Sequence, residues 1–133
     1  MTVEAIDYEV RKFLADQSTV NTIVEARLYP MMLPQNPVLP AITIQLTGTR
    51  GIDTHDDAGG IKISTLQIDS WGSTHTSVKL LAKAVRGVLN GYSGTLDTQA
   101  AQNIVFKNEL DLFDPETEKY RVVQFWEVWH TLD

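Results

Sequence analysis

The chain has 133 residues, 43% of them hydrophobic, no cysteine, and a formal net charge of −6 from 17 acidic and 11 basic residues. That length suits one domain, residues 1–133, around a single core. The composition excludes disulfides, thiol chemistry and cysteine-based zinc sites, and an acidic chain with no basic patch is not built to grip DNA or RNA. The first ten residues carry acids and no apolar core, so they do not read as a signal peptide. No run approaches a membrane span, and the chain is expected to be soluble and intracellular when made.

Val3, Ile6, Val10, Phe13 and Leu14 recur at helical spacing and predict a helix over residues 3–16, with Thr2 as its cap. Its polar face carries both signs of charge, which fits a helix packed on a sheet rather than one lying on a membrane. The Asp16-Gln17-Ser18 segment ends it, and residues 20–24 add a further helical turn. Residues 25–29 read as a short extended piece.

Residues 30–40, PMMLPQNPVLP, hold four of the five prolines: Pro30, Pro34, Pro37 and Pro40. Proline removes backbone donors and favours extended backbone, so this is an ordered connector, a stiff strap across the fold. An SH3-ligand reading is disfavoured because no basic residue flanks the prolines.

Residues 41–47 alternate Ile42, Ile44 and Leu46 against Thr43, Gln45 and Thr47, the pattern of a half-buried strand. Residues 60–71 alternate again, but Ile61 and Ile63 are out of phase with Leu66 and Ile68. That switch near Ser64-Thr65 predicts a bulge or bend. Between the two strands, residues 48–59 (GTRGIDTHDDAG) are too long for a tight turn and read as a mobile hairpin loop, a length that usually has a job.

Gly72-Ser73-Thr74 caps a second helix over residues 76–89, with Val78, Leu81, Ala82, Val85, Val88 and Leu89 as its apolar stripe. Lys79, Lys83 and Arg86 lie off that stripe. Asn90-Gly91 ends it, since glycine tolerates the left-handed cap. Residues 92–101 read as a linker.

Residues 110–129, LDLFDPETEKYRVVQFWEVW, read as strand, turn and strand. Pro115 suits the second turn position, and Asp114 before it can bond the backbone ahead. In the last strand Val123, Phe125 and Glu127 point one way, and Val122, Gln124, Trp126 and Val128 the other. With Tyr120 and Trp129 added, both faces are apolar or aromatic, and such a strand needs cover on both faces. The chain's own helix supplies one cover, and a neighbouring subunit is the candidate for the other. The order of elements gives an α+β fold: a two-layer sandwich of a mostly antiparallel sheet with two main helices on one face.

Catalytic patterns are missing. His55, His75 and His130 are scattered. Asp53, His55 and Asp57 alternate on the loop, but the oxygen count is low and the spacing is not that of a calcium loop, so no metal is expected. No glycine-flanked nucleophile follows a strand, and no glycine loop with lysine cradles phosphate. Asp111, Asp114 and Glu116 cluster at a turn, which is usually wet, whereas a catalytic carboxylate pair needs a cleft that shifts one pKa. Trp71, Trp126 and Trp129 have the chemistry to stack a sugar or a base, but packing is the commoner use of such aromatics. No cofactor and no enzymatic activity are expected.

Several strings occur in a telling order: Arg27-Leu28-Tyr29-Pro30, Leu33-Pro34-Gln35, Leu39-Pro40 before a strand, and Gln67-Ile68-Asp69-Ser70-Trp71 before a helix holding Leu81-Ala82-Lys83-Ala84-Val85. Leu112-Phe113-Asp114-Pro115-Glu116-Thr117 follows, then Tyr120-Arg121 and Phe125-Trp126-Glu127-Val128-Trp129. Together they resemble the tail-completion, or tail-to-head joining, proteins of long-tailed bacteriophages and prophages, which are related in fold to the tail terminators of lambda-like phages. The resemblance implies a structural virion protein forming a ring, usually a hexamer, that caps the tail tube, stops its growth and docks on the head connector. It implies partners in the tube protein and the connector protein, no membrane and no sequence-specific nucleic acid, with DNA passing through the ring. It places the protein in the virion tail, after assembly in the host cytoplasm. Ile52, Asp53, Asp56, Asp57, Trp126 and Trp129 are then the candidate interface residues. The loop composition matches no family pattern. The competing reading is a small non-enzymatic ligand-binding or regulatory domain, and oligomeric state separates the two.

Overall fold

A computed structural model describes residues 5–51 and 60–131. Among these residues the fold is α+β, with three helices and one curled, six-stranded sheet. In chain order the elements are α1 (Ile6–Ala15), α2 (Ser18–Val24), β1 (Leu28–Pro30), β2 (Ala41–Gly51), β3 (Lys62–Gly72), α3 (His75–Leu89), β4 (Gly94–Thr95), β5 (Ala100–Asp114) and β6 (Lys119–His130). Across the sheet the order is β1-β2-β3-β6-β5-β4. β1 runs parallel to β2, and the other neighbours are antiparallel.

The proline strap has a topological task. Two adjacent parallel strands need a connection that returns the chain to its starting end. Residues 31–40 make that return without a helix. Their path bends at Met31 and Asn36, which take φ of 70° and 53°. The strap is tied at both ends: Met31 N–H donates to the Ile44 carbonyl at 2.9 Å, and Arg27 Nε to the Pro40 carbonyl at 2.9 Å.

α3 begins where the sequence places it. Thr74 Oγ1 accepts from Ser77 N–H at 3.1 Å, and Ser77 Oγ accepts from Thr74 N–H at 3.3 Å, a reciprocal cap. Gly72 permits this entry. A Cβ there would lie 2.7 Å from Ser77 Oγ and 3.0 Å from the Val78 nitrogen. At the far end Gly91 takes φ of 76° and donates to the Ile104 carbonyl, turning the chain back towards β5.

The core lies between the helices and one face of the sheet. Val10, Phe13 and Leu14 of α1, Val20 and Val24 of α2, and Leu81, Val85 and Leu89 of α3 pack with Ile42, Ile44, Leu66, Ile68, Ile104, Trp126 and Val128. Gln124 is buried on the same face. Its amide nitrogen donates to the Ala82 carbonyl at 3.1 Å and to Glu109 Oε1 at 2.8 Å, and Glu109 in turn pairs with Arg86. These bonds fasten α3 to β5 and β6.

Three boundaries differ from expectation. The predicted hairpin loop begins too early: residues 48–51 continue β2, with Gly51 opposite Lys62. The bulge lies on β2 rather than β3. The register steps from Leu46 opposite Leu66 to Gly48 opposite Thr65, and the extra residue, Thr47, donates its hydroxyl to the Thr65 carbonyl at 3.0 Å. β3 pairs with β6 without a break, so Ile63 does point away from the core, towards the face that carries Trp129. The linker 92–101 also holds β4, which pairs with the start of β5. Two residues carry too little periodicity to announce a strand.

Candidate protein-interaction surface

The antiparallel register sorts the last strand into two faces. Trp126 stands opposite Leu66 and Phe106, and Trp129 opposite Ile63 and Asn103. Trp126 is fully buried beneath the helices, its ring edge-to-face with Phe106 at 5.2 Å. Trp129 is half-buried on the other face, where no helix packs among the described residues. Its indole Nε1 is shielded and has no acceptor. Of the two tryptophans picked as interface candidates, only Trp129 lies at a surface of this chain. Ile52, Asp53, Asp56 and Asp57, picked from the loop, lie outside the described residues, as does His55. The strand ends that carry this loop, Gly51 and Lys62, are at the same end of the sheet as Trp129, since Lys62 stands opposite His130.

The uncovered face is largely polar and internally paired. Glu127 meets Arg50 at 3.8 Å and Lys107 at 4.0 Å. Trp71 Nε1 donates to Thr43 Oγ1 at 2.9 Å, and the Arg121 guanidinium lies 4.9 Å from the Trp71 ring centre. Arg121 also approaches Asp69 at 3.5 Å. Burial pushes the Asp69 carboxyl above its ordinary range, against the opposing pull of Gln67 and Arg121. Where this face reaches the β5–β6 turn it becomes apolar. Leu110 and Leu112 are 38% and 40% exposed, and Trp71, Leu112, Phe113, Pro115, Lys119 and Arg121 line an open groove of about 340 Å³. The turn forms as its residues require: Asp114 accepts from Glu116 N–H at 3.0 Å and from Thr117 Oγ1 at 2.8 Å.

One polar group escaped the sequence reading. Ser64 Oγ lies 2.6 Å from His130 Nε2 and 2.9 Å from Thr49 Oγ1. A serine beside a histidine has the makings of a nucleophile and base. Ser64 is fully buried and His130 is 2% exposed, and the pair ties the end of the sheet together. Only the strand register brings these residues, far apart in sequence, side by side. Among the described residues no cluster of three or more His, Asp or Glu could hold a metal, and no helix is long and apolar enough to cross a membrane.

The family described as tail completion protein gp17 matches residues 9–131. The chain belongs to this family. The likeness read from the ordered strings is thereby confirmed, and this tail completion protein has a structural role in a phage-type virion tail. No curated protein sequence matches it. Among solved structures, a chain from the virion of a native gene transfer agent particle superposes with a TM-score of 0.72 at 16% identity, covering 95% of this chain and 94% of that one. At that identity the match speaks for the fold, over essentially its full length.

Proposed function

We propose that this tail completion protein forms a homo-hexameric ring on the finished tail tube, stops tube growth and joins the tail to the head connector. The observation that carries the reading is the family match across residues 9–131. The two-faced last strand supports it: β6 gives Trp126 to the core and leaves Trp129 beside Ile63 on a face where no helix packs among the described residues. A half-buried aromatic is suited to an interface, where a partner can supply the remaining cover. The loop bearing Ile52, Asp53, Asp56 and Asp57 is attached at that same end. Ile52 is its apolar anchor, and the aspartates line either the docking surface or the channel. Repeated carboxylates around a channel repel the DNA backbone, so DNA passes without sticking. The protein is made in the host cytoplasm and ends in the virion tail.

A gold label on this protein in purified particles tests the location. A single label at the head-proximal end of each tail is the expected result. Label distributed along the tube, or confined to the distal tip, would overturn the proposal.

A further inference from the structure

The outer side of α3 is built for company. Leu80 is 57% exposed there, and Thr19, Leu80, Lys83, Ala84, Gly87 and Val88 line an open, mainly apolar groove of about 350 Å³ between α2 and α3. Two features of this groove lack a reason within the chain. Gly87 sits inside a helix, where glycine costs about 1 kcal/mol relative to alanine. Yet a Cβ at Gly87 would meet nothing within 4 Å, so no packing among the described residues requires the vacancy. Lys83, at the rim, makes no ion pair among the described residues, although Lys79 and Arg86 on the same helix are bonded to Asp111 and Glu109.

The β5–β6 arm has the complementary character. Its exposed apolar residues, Leu110 and Leu112, are on the face away from the helices. Its tip carries Asp114, Glu116 and Glu118 against Lys119, so carboxylates outnumber the ammonium three to one. The groove and the arm's apolar side therefore lie on opposite sides of the molecule, one apolar with an unpaired cation, the other apolar with an excess of anions. A head-to-tail contact needs two distinct surfaces that do not overlap, because each copy must use both at once. We infer that the β5–β6 arm of one copy docks by Leu110 and Leu112 into the α2–α3 groove of the next, with the acidic turn beside Lys83. Gly87 is small because the neighbour's arm passes over it. This contact deepens the ring reading and rests on it.

The absence of native cysteine makes the test clean. Gly87→Cys and Leu112→Cys are made in separate copies of the full chain, mixed, assembled on tails and oxidised. Disulfide-linked dimers joining one variant to the other are expected, with little product from either variant alone. Linked Leu112→Cys pairs without mixed dimers would mean that two arms meet face to face, which overturns the inference. Tails capped normally with no cross-link at all would overturn it while leaving the ring reading standing. Tails lacking the protein altogether, while wild type is also absent from tail ends, would sink both. Charge supplies a second readout. Lys83→Glu should weaken self-association about tenfold, Glu116→Lys should restore it in the double variant, and Gly87→Gln should fold normally but fail to assemble. Unaltered association of Lys83→Glu and Gly87→Gln would contradict the contact.

Discussion

Glu9 is the clearest single-residue device. Its carboxylate lies fully buried, and it accepts from the backbone N–H groups of Asp97, Thr98 and Gln99 and from Thr98 Oγ1, at 2.8 to 3.1 Å. Burial opposes its ionisation, but the bonds from Gln99, Thr98 and Asp97 outweigh burial and hold the carboxyl below its ordinary value of 4.5. Because the folded value is depressed, the stability Glu9 contributes is fully present above pH 4.5. It is lost as pH falls through the lower folded value. Glu9→Ala should cost about 3 kcal/mol in urea denaturation at pH 7, since it strands several buried donors. Glu9→Gln should lose part of that stability and flatten the acid limb of the stability profile below pH 4.5. The two tryptophans make a second prediction at this scale. Trp126→Ala opens a cavity in the core and should cost about 4 kcal/mol. Trp129→Asp should keep the fold, by circular dichroism and thermal melting, and block ring formation. An unfolded Trp129→Asp chain would place that ring in the core and remove it from the interface.

Elements depend on small details at their ends. Gly72→Ala would push a methyl group against Ser77 Oγ and the Val78 backbone, where the reciprocal cap of α3 forms. A loss of about 1–2 kcal/mol is expected, read as a shift of the urea midpoint at unchanged slope. Most elements were legible in the sequence because their signals are local. The stripe of Val78, Leu81, Val85 and Leu89 marks α3, and Asp114-Pro115 marks the last turn. What escaped depends on partners distant in the chain. The bulge at Thr47 is visible only in the register between β2 and β3. β4 exists only because β5 pairs with it. The parallel placement of β1 has no local mark at all, since the same three residues suit either direction. The candidate site was legible to a lesser degree. Alternation separated Trp126 from Trp129, but burial was needed to say which one faces outward. The Gly87 vacancy carries no sequence signal, since a glycine inside a helix announces only its cost.

At the scale of the whole molecule, the described helices pack on one face of the curled sheet, and Trp129, Phe125 and the arm residues Leu110 and Leu112 lie on the other. This asymmetry gives the subunit distinct sides, with Gly51, Lys62 and Trp129 at one end of the sheet and the β5–β6 turn at the other. A subunit with distinct sides suits a closed ring, in which each copy presents different surfaces to its two neighbours. The order of strings made the family legible across nearly the whole chain, although each string is short. No pattern in one chain encodes copy number, because ring closure is set by the angle between subunits. Whether the protein ends the tail and joins it to the head is decided by electron microscopy of particles assembled with and without it. Its loss should give tails of uncontrolled length and heads without tails, whereas tails of normal length joined to heads in its absence would show that it neither stops the tube nor joins it to the head.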